Sequence, residues 1–148
     1  MRLLIQRVSR AKVTVEDEIT GEIGQGLLIF VGVGEDDSVA VSAEMAEKAS
    51  RLRIFEDEQQ KMNLDIMAVG GSALIVSQFT LYADTRKGNR PSFAAAAKPE
   101  AAKEIYNAFA GKMKELLGEN RVAEGVFGAM MEVELINDGP VTIWVDSC

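Results

Sequence analysis

The order of apolar and polar residues divides the chain into strand-like and helix-like segments. Residues 2–16 largely alternate the two kinds of side chain, and Gly21 and Gly24 punctuate the segment that follows. Such alternation predicts half-buried β-strands. The next run, GLLIFVGV (26–33), is continuously apolar, which predicts a central strand buried on both faces.

Two later segments have helical spacing. The first carries apolar residues every three or four positions and is preceded by groups able to cap a helix: Val41, Met45, Ala49 and Leu52, after Asp36, Asp37 and Ser38. The second begins at Pro99 and ends at Gly118, residues suited to a helix start and a helix end. Its apolar stripe consists of Ile105, Phe109, Met113 and Leu116.

Further strands are predicted at SALIVSQFTLYA (72–83), AMMEVELI (129–136) and VTIWVD (141–146). The order strands, helix, strand, helix, strands predicts one domain over residues 1–148. We expect an α/β fold of the mixed α+β type. It should have a mixed, mainly antiparallel and barrel-like sheet and two main helices.

Composition narrows the possible chemistry. The 148 residues include no histidine and one cysteine, Cys148, so neither a Ser-His-Asp nor a Cys-His relay can form within the chain. Proton transfer must use carboxylates, lysine, tyrosine, the backbone, water or the substrate. Zinc sites usually draw on histidine and cysteine, and we expect no metal and no cofactor.

Charge and hydropathy limit the partners. A net charge of −7 disfavours a protein that coats nucleic acid, yet it allows one that grips a single RNA end through a few cations. No DNA partner is expected. No apolar run approaches the ~20 residues of a membrane span. The first ten residues lack a signal peptide's apolar centre, so a cytoplasmic location is expected.

Polar residues in the second half of the predicted strand 72–83 form a first candidate site. Ser77, Gln78 and Thr80 surround Phe79 there. These groups either cap the sheet or line a ligand site, because open sheets bind ligands at strand ends. Thr80 would act as a nucleophile or a positioning hydroxyl, and consecutive backbone N–H groups would form an oxyanion hole.

Other segments offer weaker candidates. Arg86, Lys87 and Arg90 share one loop, which is either a solvated surface or a phosphate contact. Residues 125–131, GVFGAMM, form either a bulged strand entry or a pocket wall. Aromatic rings nearby suit the core better than base stacking: Phe79, Tyr82 and Phe93. A general base could be any of three residues: Lys87, Lys98 or Tyr106. The carboxylate pairs Asp36/Asp37 and Asp17/Glu18 suggest surface turns or caps.

The stretch NDGPVT (137–142) lies between two strand-like runs. A hairpin turn explains Asn-Asp-Gly, but proline directly after the glycine is less expected, since proline cannot donate to a ladder. The alternative is a backbone wedge at an active site.

Together, SQFTLYAD, its spacing to RPSF, GVFGAMMEVEL and NDGPVT resemble the D-aminoacyl-tRNA deacylase family of bacteria and eukaryotes. MRLLIQRVSRAKVTV and GLLIFVGVGEDD are similar to that family too, so the resemblance covers nearly the whole chain.

The resemblance implies an enzyme that hydrolyses the ester between a D-amino acid, or glycine, and the 3′-terminal adenosine of tRNA. It implies a homodimer in which a cis Gly139-Pro140 unit enters the partner's pocket and rejects L-amino acids. Ser77, Gln78, Phe79 and Thr80 would line that pocket, with Phe127, Gly128, Ala129 and Met130 as its wall. Arg86, Lys87 and Arg90 are expected to contact the tRNA acceptor end.

Two other functions are compatible with the residues alone. One is a non-catalytic module that binds RNA ends, and the other is a dimer that binds a small molecule. Within the enzyme, either Thr80 attacks the ester or the backbone and the substrate's 2′-hydroxyl suffice. The second is favoured, because a hydroxyl nucleophile usually needs an adjacent base and this segment offers none.

Overall fold

The computed structural model describes residues 1–147. Cys148, the one cysteine, lies outside the described residues. Two long strands and two helices form most of the fold. The elements are β1 (Arg2–Val15), β2 (Glu18–Ile23), β3 (Gly26–Gly32), α1 (Val39–Arg51), β4 (Phe55–Glu56), β5 (Met62–Leu64), β6 (Ser72–Ser77), α2 (Pro99–Leu117), β7 (Val122–Glu124) and β8 (Glu132–Asp146). Single turns of 3₁₀-helix occupy Phe79–Tyr82 and Glu119–Arg121.

The main sheet is mixed, and its order is β2-β1-β3-β6-β7, with β8 on the other side of β1. β1 is antiparallel to β2, β3 and β8, whereas β6 is parallel to both β3 and β7. The first and last strands of this order, β2 and β7, lie close together. A Cβ added at Gly21 in β2 would lie only 2.6 Å from the carbonyl oxygen of Glu124 in β7. The sheet is therefore barrel-like, as predicted, and β4 and β5 form a separate ribbon.

The central strands are buried on both faces, which the continuous apolar run predicted. Leu27 and Ile29 of β3 belong to the core beneath the helices, while Leu28 belongs to a second core inside the sheet. In α2 the residues Ile105, Phe109 and Met113 are buried as expected, and Leu117 rather than Leu116 completes that face.

Ser38 caps α1 as predicted, accepting a hydrogen bond from the N–H of Val41 at 3.3 Å. Asp37 does not fit its expected role as a surface or capping residue. Its side chain is 8% exposed; it pairs with the ammonium group of Met1 and accepts from the N–H of Gly34 at 2.7 Å. The tertiary fold thus makes Asp37 an anchor for the first residue of the chain.

The hairpin interpretation of NDGPVT is wrong. The runs on either side of it belong to a single strand, β8, and both pair with β1. The ladder is interrupted between them: Thr142 lies opposite Gln6 and Asn137 opposite Val8, so β8 inserts extra residues here. Such an insertion is a β-bulge, which bends the strand and frees its backbone from the ladder.

Candidate functional site

Three parallel strands bring the predicted pocket segments to one edge of the sheet. β3, β6 and β7 run in the same direction, so their carboxyl ends share that edge. β6 ends at Ser77, earlier than the predicted strand, and leads into Phe79–Tyr82, which we name the Thr80 turn. β7 leads into residues 125–131. Ligands of open sheets commonly bind at such an edge, and the sequence placed its first candidate site there.

The Thr80 turn is held to β3 by its backbone. The N–H of Gln78 donates to the carbonyl of Val31 at 2.8 Å, and the N–H of Leu81 donates back to Gln78 at 3.2 Å. A Cβ at Gly32 would lie 3.0 Å from the Cβ of Leu81, so glycine lets the turn pack directly on the strand. Phe79 and Thr80 begin the turn, and their N–H groups have no partner within it.

The side chains of the turn point in part to the surface. Ser77 and Gln78 are half-buried, whereas Phe79 and Thr80 are exposed. The side-chain nitrogen of Gln78 donates to the hydroxyl of Thr80. Phe79 packs edge-on against Phe93, with ring centres 5.1 Å apart. Neither ring is in the core, contrary to the more common placement of aromatic residues.

The predicted pocket wall follows β7. The N–H of Gly125 donates to the carbonyl of Ile75 at 3.0 Å, which ties the segment to β6. Phe127 is half-buried and packs against the ring of Tyr106, 5.6 Å between centres, while Met130 is 93% exposed. Gly128 adopts φ 77°, a left-handed backbone that favours glycine. Ala129 is half-buried.

The candidate general bases differ in burial. Tyr106 is buried and its hydroxyl donates to the carbonyl of Ile75 at 3.2 Å; burial, followed by the charge of Glu124, raises the pKa of this phenol. It therefore stays protonated at neutral pH. Lys87 and Lys98 are exposed residues.

The basic loop is exposed throughout, but its cations differ. The guanidinium of Arg86 donates to both carboxylate oxygens of Asp84, at 2.9 and 2.6 Å. This hydrogen bonding holds the pKa of Asp84 well below its usual range. Lys87 and Arg90 are exposed in the same loop. Arg86 already has an anionic partner, so it is the weakest candidate of the three for a phosphate contact.

The bulge in β8 places Gly139 and Pro140 on the surface, joined by a cis peptide bond as the resemblance implies.

Arg7, which the sequence did not single out, supports the bulge from beneath. Its side chain is 6% exposed; Nε lies 3.0 Å from a carboxylate oxygen of Asp138, and Nη1 donates to the carbonyl of Ile54 at 2.7 Å. A basic residue within an apolar strand was the available hint. The side-chain amide of Asn137, oriented to satisfy its neighbours, donates to the carbonyls of Arg7 and Val141 at 3.2 and 3.1 Å.

One chain does not bring Gly139-Pro140 to the Thr80 turn. Ser77 pairs with Val31, which pairs with Leu3, whereas the bulge lies beside Arg7. Four residue steps along β1 correspond to roughly 13 Å at the rise of a β-strand. The bulge therefore lies toward the start of β3 and β6, and the Thr80 turn lies at their end.

Among residues 1–147, no group of three or more acidic, histidine or cysteine side chains has the arrangement of a metal site. Over the same residues, no helix combines the length and apolar character of a membrane span.

The protein is a small mixed α/β domain with polar groups at a strand-end edge, where sheets of this kind commonly bind ligands. A sequence model of the D-Tyr-tRNA(Tyr) deacylase family matches residues 4–146, and the chain belongs to this family. The resemblance drawn from the sequence is thereby confirmed, as is the expectation of an enzyme.

Similar proteins agree over the full length. D-aminoacyl-tRNA deacylases of Koribacter versatilis (strain Ellin345) and Geobacillus sp. (strain WCH70) are 58% and 56% identical to this chain; each alignment covers 99% of it and 97% and 95% of the relative. A solved structure described as c-Myc DNA Unwinding Element Binding Protein has a TM-score of 0.94 at 38% identity, covering 99% and 98% of the two chains. A probable eukaryotic D-amino acid tRNA deacylase, at 16% identity and a TM-score of 0.84, shares the fold over 97% of each chain.

Proposed function

We propose that this protein hydrolyses the ester of D-aminoacyl-tRNA, and of glycine mischarged on tRNA, and releases the free amino acid. Membership of the deacylase family supports the reaction, and full-length relatives carry the name of that activity. A charged tRNA as substrate also implies a cytoplasmic location. The structural observation that carries the mechanism is the separation of Gly139-Pro140 from the Thr80 turn within one chain.

The separation favours a homodimer in which each protomer completes the other's pocket. β8 has no strand on its outer edge among the described residues, and its Ile136 and Trp144 side chains are 46% and 49% exposed. Long, apolar, unpaired edges tend to be covered by another chain. Because the bulge belongs to β8, a second copy placed along this edge would bring Gly139 and Pro140 close to a partner's surface.

A main-chain wedge explains selection between mirror images. The Cα of the aminoacyl group presents its hydrogen and its side chain in two directions. A rigid wall filling the direction of an L side chain leaves room for hydrogen only, so a D-residue passes. Glycine passes too, since a wall cannot reject a smaller group. The buried support from Arg7 gives the wall its rigidity.

Hydrolysis at this site relies on backbone donors and the substrate. An aminoacyl ester is already activated, and one oxyanion-hole donor is typically worth about 10²–10³ in rate. The N–H groups of Phe79 and Thr80 begin the turn and suit this role. The hydroxyl of Thr80 faces the amide of Gln78, a donor and not a base, so an attack by Thr80 lacks a proton acceptor. The ribose 2′-hydroxyl or a bound water then supplies the attack.

The tRNA acceptor end would meet exposed groups near the same edge. Phe79 and Phe93 are 58% and 37% exposed and offer stacking faces for the terminal adenine. Lys87 and Arg90 offer positive charge for its phosphates, and Arg86 is expected to contribute less.

The proposal is tested by incubating the purified protein with D-Tyr-tRNA, L-Tyr-tRNA and Gly-tRNA. We expect release of D-tyrosine and glycine, with L-tyrosine released no faster than in buffer. Protection of the acceptor end without release would support the RNA-end binding module instead. Cleavage of D-Tyr-tRNA with strictly no cleavage of Gly-tRNA would contradict a purely steric filter.

A further inference from the structure

An arginine at the start of β1 holds the far end of the Thr80 turn. Nη1 of Arg2 donates to the carbonyl oxygen of Leu81 at 3.0 Å, and Nε donates to Asp146 at 3.1 Å. The guanidinium carbon lies 4.4 Å from the centre of the Tyr82 ring and 5.7 Å from that of Trp144. One side chain therefore connects the turn with the beginning of β1 and the end of β8.

Tyr82, the ring beneath this guanidinium, is itself fixed. Its hydroxyl donates to Asp37 at 3.3 Å, and Asp37 also binds the ammonium of Met1. Burial, and then the charge of Asp37, raise the pKa of the Tyr82 phenol, so it remains a donor at neutral pH. Because Tyr82 is the last residue of the Thr80 turn, Arg2 contacts the turn twice, through this ring and through the carbonyl of Leu81.

Stability of the sheet does not explain these contacts. The side chains of Arg2 and Asp146 are 34% and 32% exposed, and ion pairs at such exposure contribute little. The backbone of Arg2 is already paired with Gly32 on one side and Asp146 on the other. The hydrogen bond to Leu81 instead acts on the turn.

The turn depends on such support because it is short. A four-residue 3₁₀-helix has few internal hydrogen bonds, and Phe79 and Thr80 are exposed at its start. Ala83 donates to Thr80 at 3.0 Å and Leu81 to Gln78 at 3.2 Å. Small displacements matter here, since a misplacement of about 1 Å can cost about 10²-fold in rate.

We propose that Arg2 is a positioning residue for deacylation: through the carbonyl of Leu81 it sets where the backbone donors of Phe79 and Thr80 lie. This inference rests on the proposed function, in which those donors stabilise the reacting ester. It predicts that loss of Arg2 slows the chemical step and leaves the binding of tRNA nearly unchanged.

The test compares Arg2→Gln and Arg2→Lys with a matched control, Arg53→Gln. Arg53 also donates from Nε to a backbone carbonyl, that of Asn63 at 2.9 Å, but belongs to the loop before β4. For Arg2→Gln we expect kcat for D-Tyr-tRNA to fall by about 10- to 100-fold while KM changes less than about twofold. Arg2→Lys keeps one donor and the charge and should recover part of kcat. Arg53→Gln should match the wild type.

Hydrogen exchange gives a readout that does not depend on activity. In Arg2→Gln the amides of Leu81 and Ala83 should exchange about tenfold faster or more, while the amides of α2 keep their rates. If Arg2→Gln fails to fold, the same two measurements on Arg2→Lys decide the question. Wild-type kcat together with wild-type exchange at Leu81 and Ala83 would overturn the inference, and so would faster exchange spread evenly over the protein. Absence of D-Tyr-tRNA cleavage by the wild type would instead contradict the proposed function.

Discussion

The Thr80 turn follows the end of β6, whereas the Gly139-Pro140 bulge interrupts β8, and an arginine of β1 supports each of them. The two supports differ in burial. Arg2 has a third of its side chain exposed, whereas Arg7 is 6% exposed and bonds the carbonyl of Ile54 as well as Asp138. The turn still leans on β3 through backbone hydrogen bonds, but the bulge has left the ladder between Gln6 and Val8. A backbone without ladder partners needs the deeper anchor.

The two regions also lie at different places in the sheet. The turn is formed by strand ends of its own chain, while the bulge lies on the open edge of β8, about four residue steps away along β1. Each region is therefore well formed alone, and in the proposed dimer the pocket exists only between two chains. The following predictions test this division, in order of decreasing size.

Gly139→Ala should lower kcat/KM for D-Tyr-tRNA by about 100-fold, because a methyl group then projects from the wedge into the partner's pocket. The protomer itself tolerates the change: the added Cβ would lie 3.4 Å from its nearest neighbour, an ordinary contact with the Asn137 side chain. The melting temperature should therefore stay the same. Deacylation rates and thermal melts check this prediction.

The control for that variant is Gly111→Ala in α2, where a Cβ would meet nothing within 4 Å. It should keep full activity and stabilise the protein by roughly 0.5–1 kcal/mol, the helix preference of alanine over glycine. Unchanged activity of Gly139→Ala would show that the bulge is not part of the pocket.

Arg7→Met should destabilise the fold by about 1–3 kcal/mol, since the carbonyl of Ile54 loses a buried hydrogen bond. It should also loosen the wedge and lower the preference for D-Tyr-tRNA over L-Tyr-tRNA by about tenfold. Arg10→Met on the same strand is the control; its side chain is 60% exposed, so a change within about 0.5 kcal/mol is expected. Urea unfolding and parallel assays of both substrates measure the two effects. Retained selectivity in a destabilised Arg7→Met protein would show that Arg7 supports the fold alone.

Thr80→Val should keep activity within about tenfold of the wild type, because the proposed catalysis at the turn uses N–H groups and not the hydroxyl. Thr80→Ser should be closer still. Single-turnover rates on D-Tyr-tRNA check both variants. Complete inactivity of the two together, or a trapped acyl ester on Thr80, would establish the nucleophile mechanism instead.

The smallest effects concern RNA binding. Lys87→Gln and Arg90→Gln should each reduce the slope of log affinity against log salt by about one, the value for one lost phosphate contact. Arg86→Gln should reduce it less. Hydrogen bonding from Arg86 lowers the pKa of Asp84. This carboxylate therefore stays charged, and paired with Arg86, through the pH range in which an aspartate normally titrates. The pair weakens only as the pH falls through the lowered pKa. Equal slopes for Arg86→Gln and Lys87→Gln at pH 7 would contradict this ranking.

Sequence reasoning alone found the long strands, both helices and the family, but it missed the short strands β4, β5 and β7. These features depend on local periodicity, on caps such as Ser38, and on motifs that can be recognised from the order of residues along the chain. It also indicated that the polar residues after β6 and the NDGPVT stretch were unusual. The mixed sheet was predicted as well, from the order strands, helix, strand, helix, strands.

Contacts between distant residues became known only from the folded chain. Asp37 looked like a surface or capping residue until the fold placed it against the ammonium of Met1. Arg7 and Arg2 gained their roles from contacts with residues 47 to 144 positions away. NDGPVT became a bulge in one continuous strand, since both flanking runs find ladder partners on the long β1. Local patterns report which face of an element is apolar, whereas these outcomes depend on which strands pair and in what register, and that is settled by the free energy of the whole packed chain.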